Sequence, residues 1–311
     1  YGVDSVPPIP AASTVHNPGD ATNIVDKDYR NPYTPQWNAA YAWSLTDNQV
    51  IEVDYVHVLG LHENKNVNIN PQLPSLGFAR PYTAAFKAAG LPVLAQITDS
   101  QSISRSRYDG LNIVYRRRMT RHFSINTNYV LSRGVSYNGA AASYSIRPSD
   151  ILNIFGPQDF GPVPSDERHR WVFSGIFDLK WGIKVSPIMQ WASARPYTAT
   201  EGLSWYGYGG GVGTAHAVLL KSDANNYTAT KSYTSAQLRD CVAAGNCTVA
   251  PFDSLRGQAF FQLDSRFSRE FLFKDRWKLD LFFQAFDLTN RANYGGNYYG
   301  SIRSTSFGQP S

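Results

Sequence analysis

Asp166, Arg168, His169 and Arg170 fall in one short run, and a carboxylate beside an imidazole is the arrangement that tunes a histidine for proton transfer. Acid-base work of that kind needs a group to activate, and no Ser or Cys stands at a recognisable nucleophile spacing. The run opens an alternating stretch, so its expected role is a rim cluster of salt bridges and hydrogen bonds. His16, His57, His62, His122 and His216 are scattered, and none has a second ligand at metal spacing. The sequence also has no Gly-rich phosphate loop and no nucleophile elbow, so no catalytic site, metal or cofactor is expected.

Two other groups carry chemistry. Cys241 and Cys247, the only cysteines, lie in a loop containing Gly and Ala, where one small disulfide in an oxidising compartment is the natural reading and a redox-active pair the weaker one. Trp205, Tyr206 and Tyr208 stand among Gly207, Gly209, Gly210 and Gly211; such rings stack on a sugar or another flat ligand, or else pack back on the rim. The densest basic run, Arg116, Arg117, Arg118, Arg121 and His122, falls at a predicted hairpin turn. No Lys/Arg stripe continues beyond it, so a net charge of +5 does not point to nucleic acid.

The elements that must position these groups are long strands. Phe261, Leu263, Phe267, Phe271 and Phe273 share one parity, while Gln262, Asp264, Arg266, Ser268 and Glu270 share the other. After a turn at Lys274, Asp275 and Arg276 the pattern restarts with Trp277, Leu279, Leu281 and Phe283 against Lys278, Asp280 and Gln284. Each strand exceeds the usual ~5–6 residues and suits a tilted crossing of a bilayer. The same rhythm predicts hairpins at 37–59 with a turn at Thr46, Asp47 and Asn48, at about 110–132, and at 171–191 with a turn at Trp181 and Gly182. Between the hairpins lie long connections, one ending near Arg107, one from Arg133 to Glu167 and one from about Ala194 to Gly257. Tyr1 to Tyr33 has no periodicity and reads as a loop.

About eight strands in four hairpins, with turns alternating short and long, fit an antiparallel transmembrane β-barrel with short periplasmic turns and long extracellular loops. Aromatics at 14% with only 17% charged residues suit strands and an aromatic girdle. No apolar run is long enough for a transmembrane helix, and a mean hydropathy of -0.34 does not argue against a barrel, whose strands alternate lipid-facing and lumen-facing residues. A soluble β-sandwich would have shorter strands and closer turns. On the barrel reading Asp264, Arg266, Lys278, Asp280 and Gln284 face the lumen.

Four segments carry a family resemblance. They are Asn31, Pro32, Tyr33, Thr34, Pro35, Gln36, Trp37 and Asn38 followed by Glu52, Val53, Asp54, Tyr55 and Val56; Asp166, Glu167, Arg168, His169, Arg170 and Trp171; Ser193, Ala194, Arg195, Pro196, Tyr197 and Thr198; and Phe286 through Tyr294. In this order they resemble the TonB-dependent receptors of the Oar-like type abundant in Acidobacteria. The resemblance implies a barrel of about 22 strands around a plug, in the outer membrane lipid, with the plug and the TonB complex as partners in energised uptake. It also implies that residues 1–311 are a single barrel-domain fragment without plug, N-terminal domain or final strand. The substrate is unidentified; siderophore, oligosaccharide and peptide all fit. The alternative is an outer-membrane adhesion or structural barrel that binds partners through its long surface loops.

Overall fold

The computed structural model describes residues 22–77, 79–91, 93, 97–137, 153–203, 205, 215–273 and 277–311. Eight long strands carry the architecture: β1 (Gln36–Thr46), β2 (Gln49–Asn68), β3 (Ile97–Thr120), β4 (Phe123–Ser136), β5 (His169–Asp178), β6 (Ile183–Ala192), β7 (Phe260–Phe273) and β8 (Trp277–Ala285). Each pairs antiparallel with the next in the chain, and among the described residues β1 and β8 have a partner on one edge only. Tight turns close three of the predicted hairpins, and the turn expected at Lys274, Asp275 and Arg276 lies outside the described residues. At the β5–β6 turn the backbone needs two consecutive left-handed residues, Trp181 (φ 63°) and Gly182 (φ 71°). Glycine takes this conformation without steric cost, and the Trp181 ring is left 78% exposed at the sheet's lower end.

The register carries one face across all eight strands. Ala42, Glu52, Val114 and Asn128 are successive partners, and the same face continues through Val172, Gln190 and Gln262. It holds Asp54, Arg116, Asn126, Ser174 and Lys184, with Asp264, Arg266, Ser268 and Glu270 of β7 and Lys278, Asp280 and Gln284 of β8. The opposite face runs through Trp43, Ile51, Tyr115 and Thr127 to Phe173 and Met189. That apolar face is bare: Tyr41 is 72% exposed and Phe283 65%. Water does not tolerate a contiguous apolar surface of this extent, so the face belongs against another apolar phase.

Three expectations change. β2 and β3 run for 20 and 24 residues, far past Leu59 and well before Arg107, so much of the predicted connection is strand. Their outer halves carry Asn64, Asn66 and Asn68 on β2 and Ser100, Ser102, Ser104 and Ser106 on β3, which offer no apolar parity to read, while ladder hydrogen bonds form regardless of side chain. Within the predicted N-terminal loop, Thr22–Val25 pairs in parallel with Ile97–Ser100. The long connection after Ser193 is a folded cap rather than a loop. Residues Val218–Leu220 pair with Cys247–Val249, and Pro196–Tyr197 with Leu255–Arg256.

A helix, Ser235–Ala243, is started in the cap by a capping box between Thr234 and Gln237. Two small cores hold the cap together, one around Ala199, Ala217, Leu219, Ala250 and Ile302, the other around Trp205, Val218, Leu238 and Cys247. The chain after β8 packs into the first of them. The molecule's dry core therefore lies in the cap, at the outer end of the sheet.

Candidate functional site: rim, cap and polar face

The rim motif does not assemble a proton-transfer pair. Asp166 accepts a hydrogen bond from the Gly134 amide at 2.9 Å and pairs with Arg256 at 3.1 Å. His169 Nδ1 lies 2.7 Å from the Tyr129 hydroxyl, and the Arg168 carbonyl accepts from the Ser132 amide at 3.0 Å. Arg170 turns to Glu167, whose carboxylate also takes Arg195, at 2.7 and 2.8 Å. Glu167 thus fastens the starts of β5 and of the cap to each other. Its i,i+3 spacing to Arg170 was a usable sequence signal; its pairing with Arg195 was not, because only the fold brings the two segments together. A cleft of about 260 Å³ opens beside these groups, bounded also by Gln258, Phe260 and Asn293.

In the cap, Trp205 is only 2% exposed and its carbonyl accepts from Arg239 at 3.0 Å, so this ring is core and not a stacking surface. Tyr206 and Tyr208 lie outside the described residues. Cys241 and Cys247 are joined in a disulfide that ties the end of the helix to the strand beginning at Cys247.

Asp253 is buried, with Oδ1 accepting from the Thr198 hydroxyl at 2.6 Å and Oδ2 lacking a partner among the described residues. Burial pushes this carboxyl up from 3.8 to about 6, against the smaller pull of Thr198 and Arg256. A raised folded pKa means that the closed cap holds a proton that the opened cap releases. Its stabilisation is complete below pH 3.8 and is lost as pH rises through 6, a change of about 3 kcal/mol. Asp253→Asn is expected to flatten this dependence, read as protease protection of the cap between pH 4 and 7; an unchanged slope would reject the assignment.

The residues assigned to the polar face sit together. Arg266 faces Gln284 across the ladder and reaches Asp280 at 3.4 Å, with its guanidinium 4.2 Å from the Phe282 ring. Lys278 pairs with Glu270 at 2.8 Å, and Asp264 accepts from the Asp287 amide at 2.8 Å. On β1 to β3 the same face carries the Glu52–Arg116 pair at 2.7 Å. Beside it a cleft of about 370 Å³ is floored by Asn38, Ala40, Ala42, Asp54 and Asn112. Side-chain oxygens of Asp54 and Asn112 beside it, and of Asn128 on β4, are shielded without a hydrogen-bond partner among the described residues.

Residues 2–311 match the family described as outer membrane beta barrel domain. The chain belongs to that family. The bare aromatic face is therefore the one that a barrel in the bacterial outer membrane sets against lipid. Among solved structures the chain is similar to the outer membrane transporter YddB from Escherichia coli, at 12% identity and a TM-score of 0.46, over 87% of this chain and 31% of that one. It is also similar to the ferric-catecholate import receptor Fiu from Escherichia coli (10%, 0.45, 91% and 26%) and the FrpB iron transporter from Neisseria meningitidis (9%, 0.42, 94% and 31%). The chain thus spans less than a third of the length of each. No curated protein matches it.

Proposed function

We propose that this chain is barrel wall of a TonB-dependent outer-membrane receptor that takes up a substrate through its interior. The observation that carries the reading is the interior face itself. A closed eight-stranded barrel has room inside only for its own side chains. Here the sheet is open at β1 and β8 among the described residues, and its interior face leaves a polar cleft over Ala40 and Ala42, rimmed by Asn38, Glu52, Asp54 and Asn112. Such a face suits a wider barrel, closed by further strands and occupied by a polar plug that fills the cleft. The resemblance of the rim and strand motifs to Oar-like receptors supports the same assignment. Movement of the plug by the TonB complex would open the passage along the Arg266–Asp280 and Lys278–Glu270 pairs, with no bond made or broken by the wall. The substrate would first meet the cap and the rim.

The test is growth on a panel of ferric siderophores, oligosaccharides and peptides as limiting nutrient. Strains would carry or lack the gene that contains this chain, each with and without a working TonB system. Growth on one compound that needs both components is expected. Uptake that persists without TonB would make the barrel a passive pore or a structural wall and sink the proposal.

A further inference from the structure

Just above the aromatic belt the lipid-facing side of the sheet changes character. Trp37 and Tyr55 mark the belt, their rings 5.3 Å apart, and Trp37 also stacks on His57 at 5.1 Å. The next residues outward on the same parity are Asp109, Arg107 and Arg105 on β3, and Arg133 on β4 directly opposite Asp109. Residues two apart on one strand are ~6.8 Å apart and adjacent strands ~4.8 Å apart, so Arg107 and Arg133 stand about 8 Å apart by backbone, with Arg105 one step further out on β3. A single carboxylate stands among them. Asp109 pairs with Arg107 at 2.9 Å, and also meets His57 Nδ1 at 2.7 Å and the Tyr55 hydroxyl at 2.8 Å. That carboxylate is saturated by groups of the belt itself. Arg105 and Arg133 are exposed, and neither forms an ion pair among the described residues. Arg105 is steered by the Tyr137 ring, 5.4 Å from its guanidinium.

The patch therefore carries excess positive charge on the outside of the barrel, at the level where an apolar span meets headgroups. We propose that Arg105, Arg107 and Arg133 hold the phosphate of an outer-leaflet lipid headgroup, with Trp37 and Tyr55 against the top of its acyl chains. Arginine forks match phosphate oxygens in pairs, and the aromatic rings place the acyl boundary below them. Asp109 fixes Arg107 and ties the patch to the belt, which sets its height relative to the bilayer. The site faces away from the interior and does not depend on the uptake reading.

The complete receptor, in detergent, would be titrated with lipid A carrying both phosphates and with lipid A stripped of them, and bound lipid counted by native mass spectrometry. Tighter binding of the phosphorylated form by about tenfold or more is expected. That preference should vanish in Arg105→Gln/Arg133→Gln and survive Arg266→Gln on the interior face. Equal binding of the two lipids by the unaltered protein overturns the proposal, and this comparison needs no variant to fold. Displacement of the lipid by millimolar inorganic phosphate would show a site for the bare anion and overturn the lipid assignment.

Discussion

Replacing Arg303 by Ala is expected to open the extracellular cap while leaving the sheet intact. The Arg303 guanidinium pairs with Glu201 at 2.6 Å, and its other donors reach the carbonyls of Glu201 at 3.0 Å, of Tyr233 at 2.7 Å and of Lys231. Glu201 is fully buried, and its second oxygen already accepts from the Val218 amide at 3.2 Å. Removing the arginine strands that carboxylate in the dry part of the cap, which costs about 3–5 kcal/mol when a buried pair loses one partner. Protease cleavage that reports the open population should then rise by a factor of about a hundred or more. Burial already raises the Glu201 carboxyl above its ordinary value, with Arg303 opposing the rise. The variant should therefore recover part of its protection in acid, where Glu201 takes up a proton. Unchanged cleavage at neutral pH would show that the pair does not hold the cap.

The second large effect separates two adjacent residues of β7. Phe267 lies on the lipid face, opposite Phe283 on one side and Val185 on the other, while Ser268 points to the interior. Phe267→Arg puts a charge in hydrocarbon near the middle of the span and is expected to destabilise the barrel by about 2–4 kcal/mol. Ser268→Arg adds the same side chain on the polar face, between Lys184 and Phe282, and is expected to cost much less because its head stays out of hydrocarbon. The measurement is denaturant unfolding of the barrel protein in lipid vesicles, followed by gel mobility of unheated samples. Equal losses at the two positions would contradict the assignment of the faces.

The parity that separates these two residues was readable from the amino acids, and so was the clustering of Asp264, Arg266, Lys278, Asp280 and Gln284 on one face. A strand that borders lipid on one side and a polar interior on the other must alternate, and alternation survives in composition whatever the neighbouring strand is. The outer halves of β2 and β3 escaped for the complementary reason. Above the bilayer both faces meet water or protein, so Ser102 and Ser104 carry no sign of the ladder that holds them. The cap was illegible because small and distant residues build it. Ala199, Ala217 and Ala250 mark no periodicity, and Trp205 in its Gly-rich surroundings read as a candidate surface ring until packing buried it.

The order of residues by itself determined an antiparallel sheet with one apolar and one polar face, and the length of its strands with turns alternately short and long set it apart from a soluble sandwich. Only the tertiary structure decided that Glu167 joins Arg170 to Arg195, that Glu201 meets Arg303 across 102 positions, and that Arg133 stands opposite the Asp109 that pairs with Arg107. Those contacts arise from register between strands and from the return of loops over the sheet. Each is set by the packing of whole elements, which no local spacing of residues encodes.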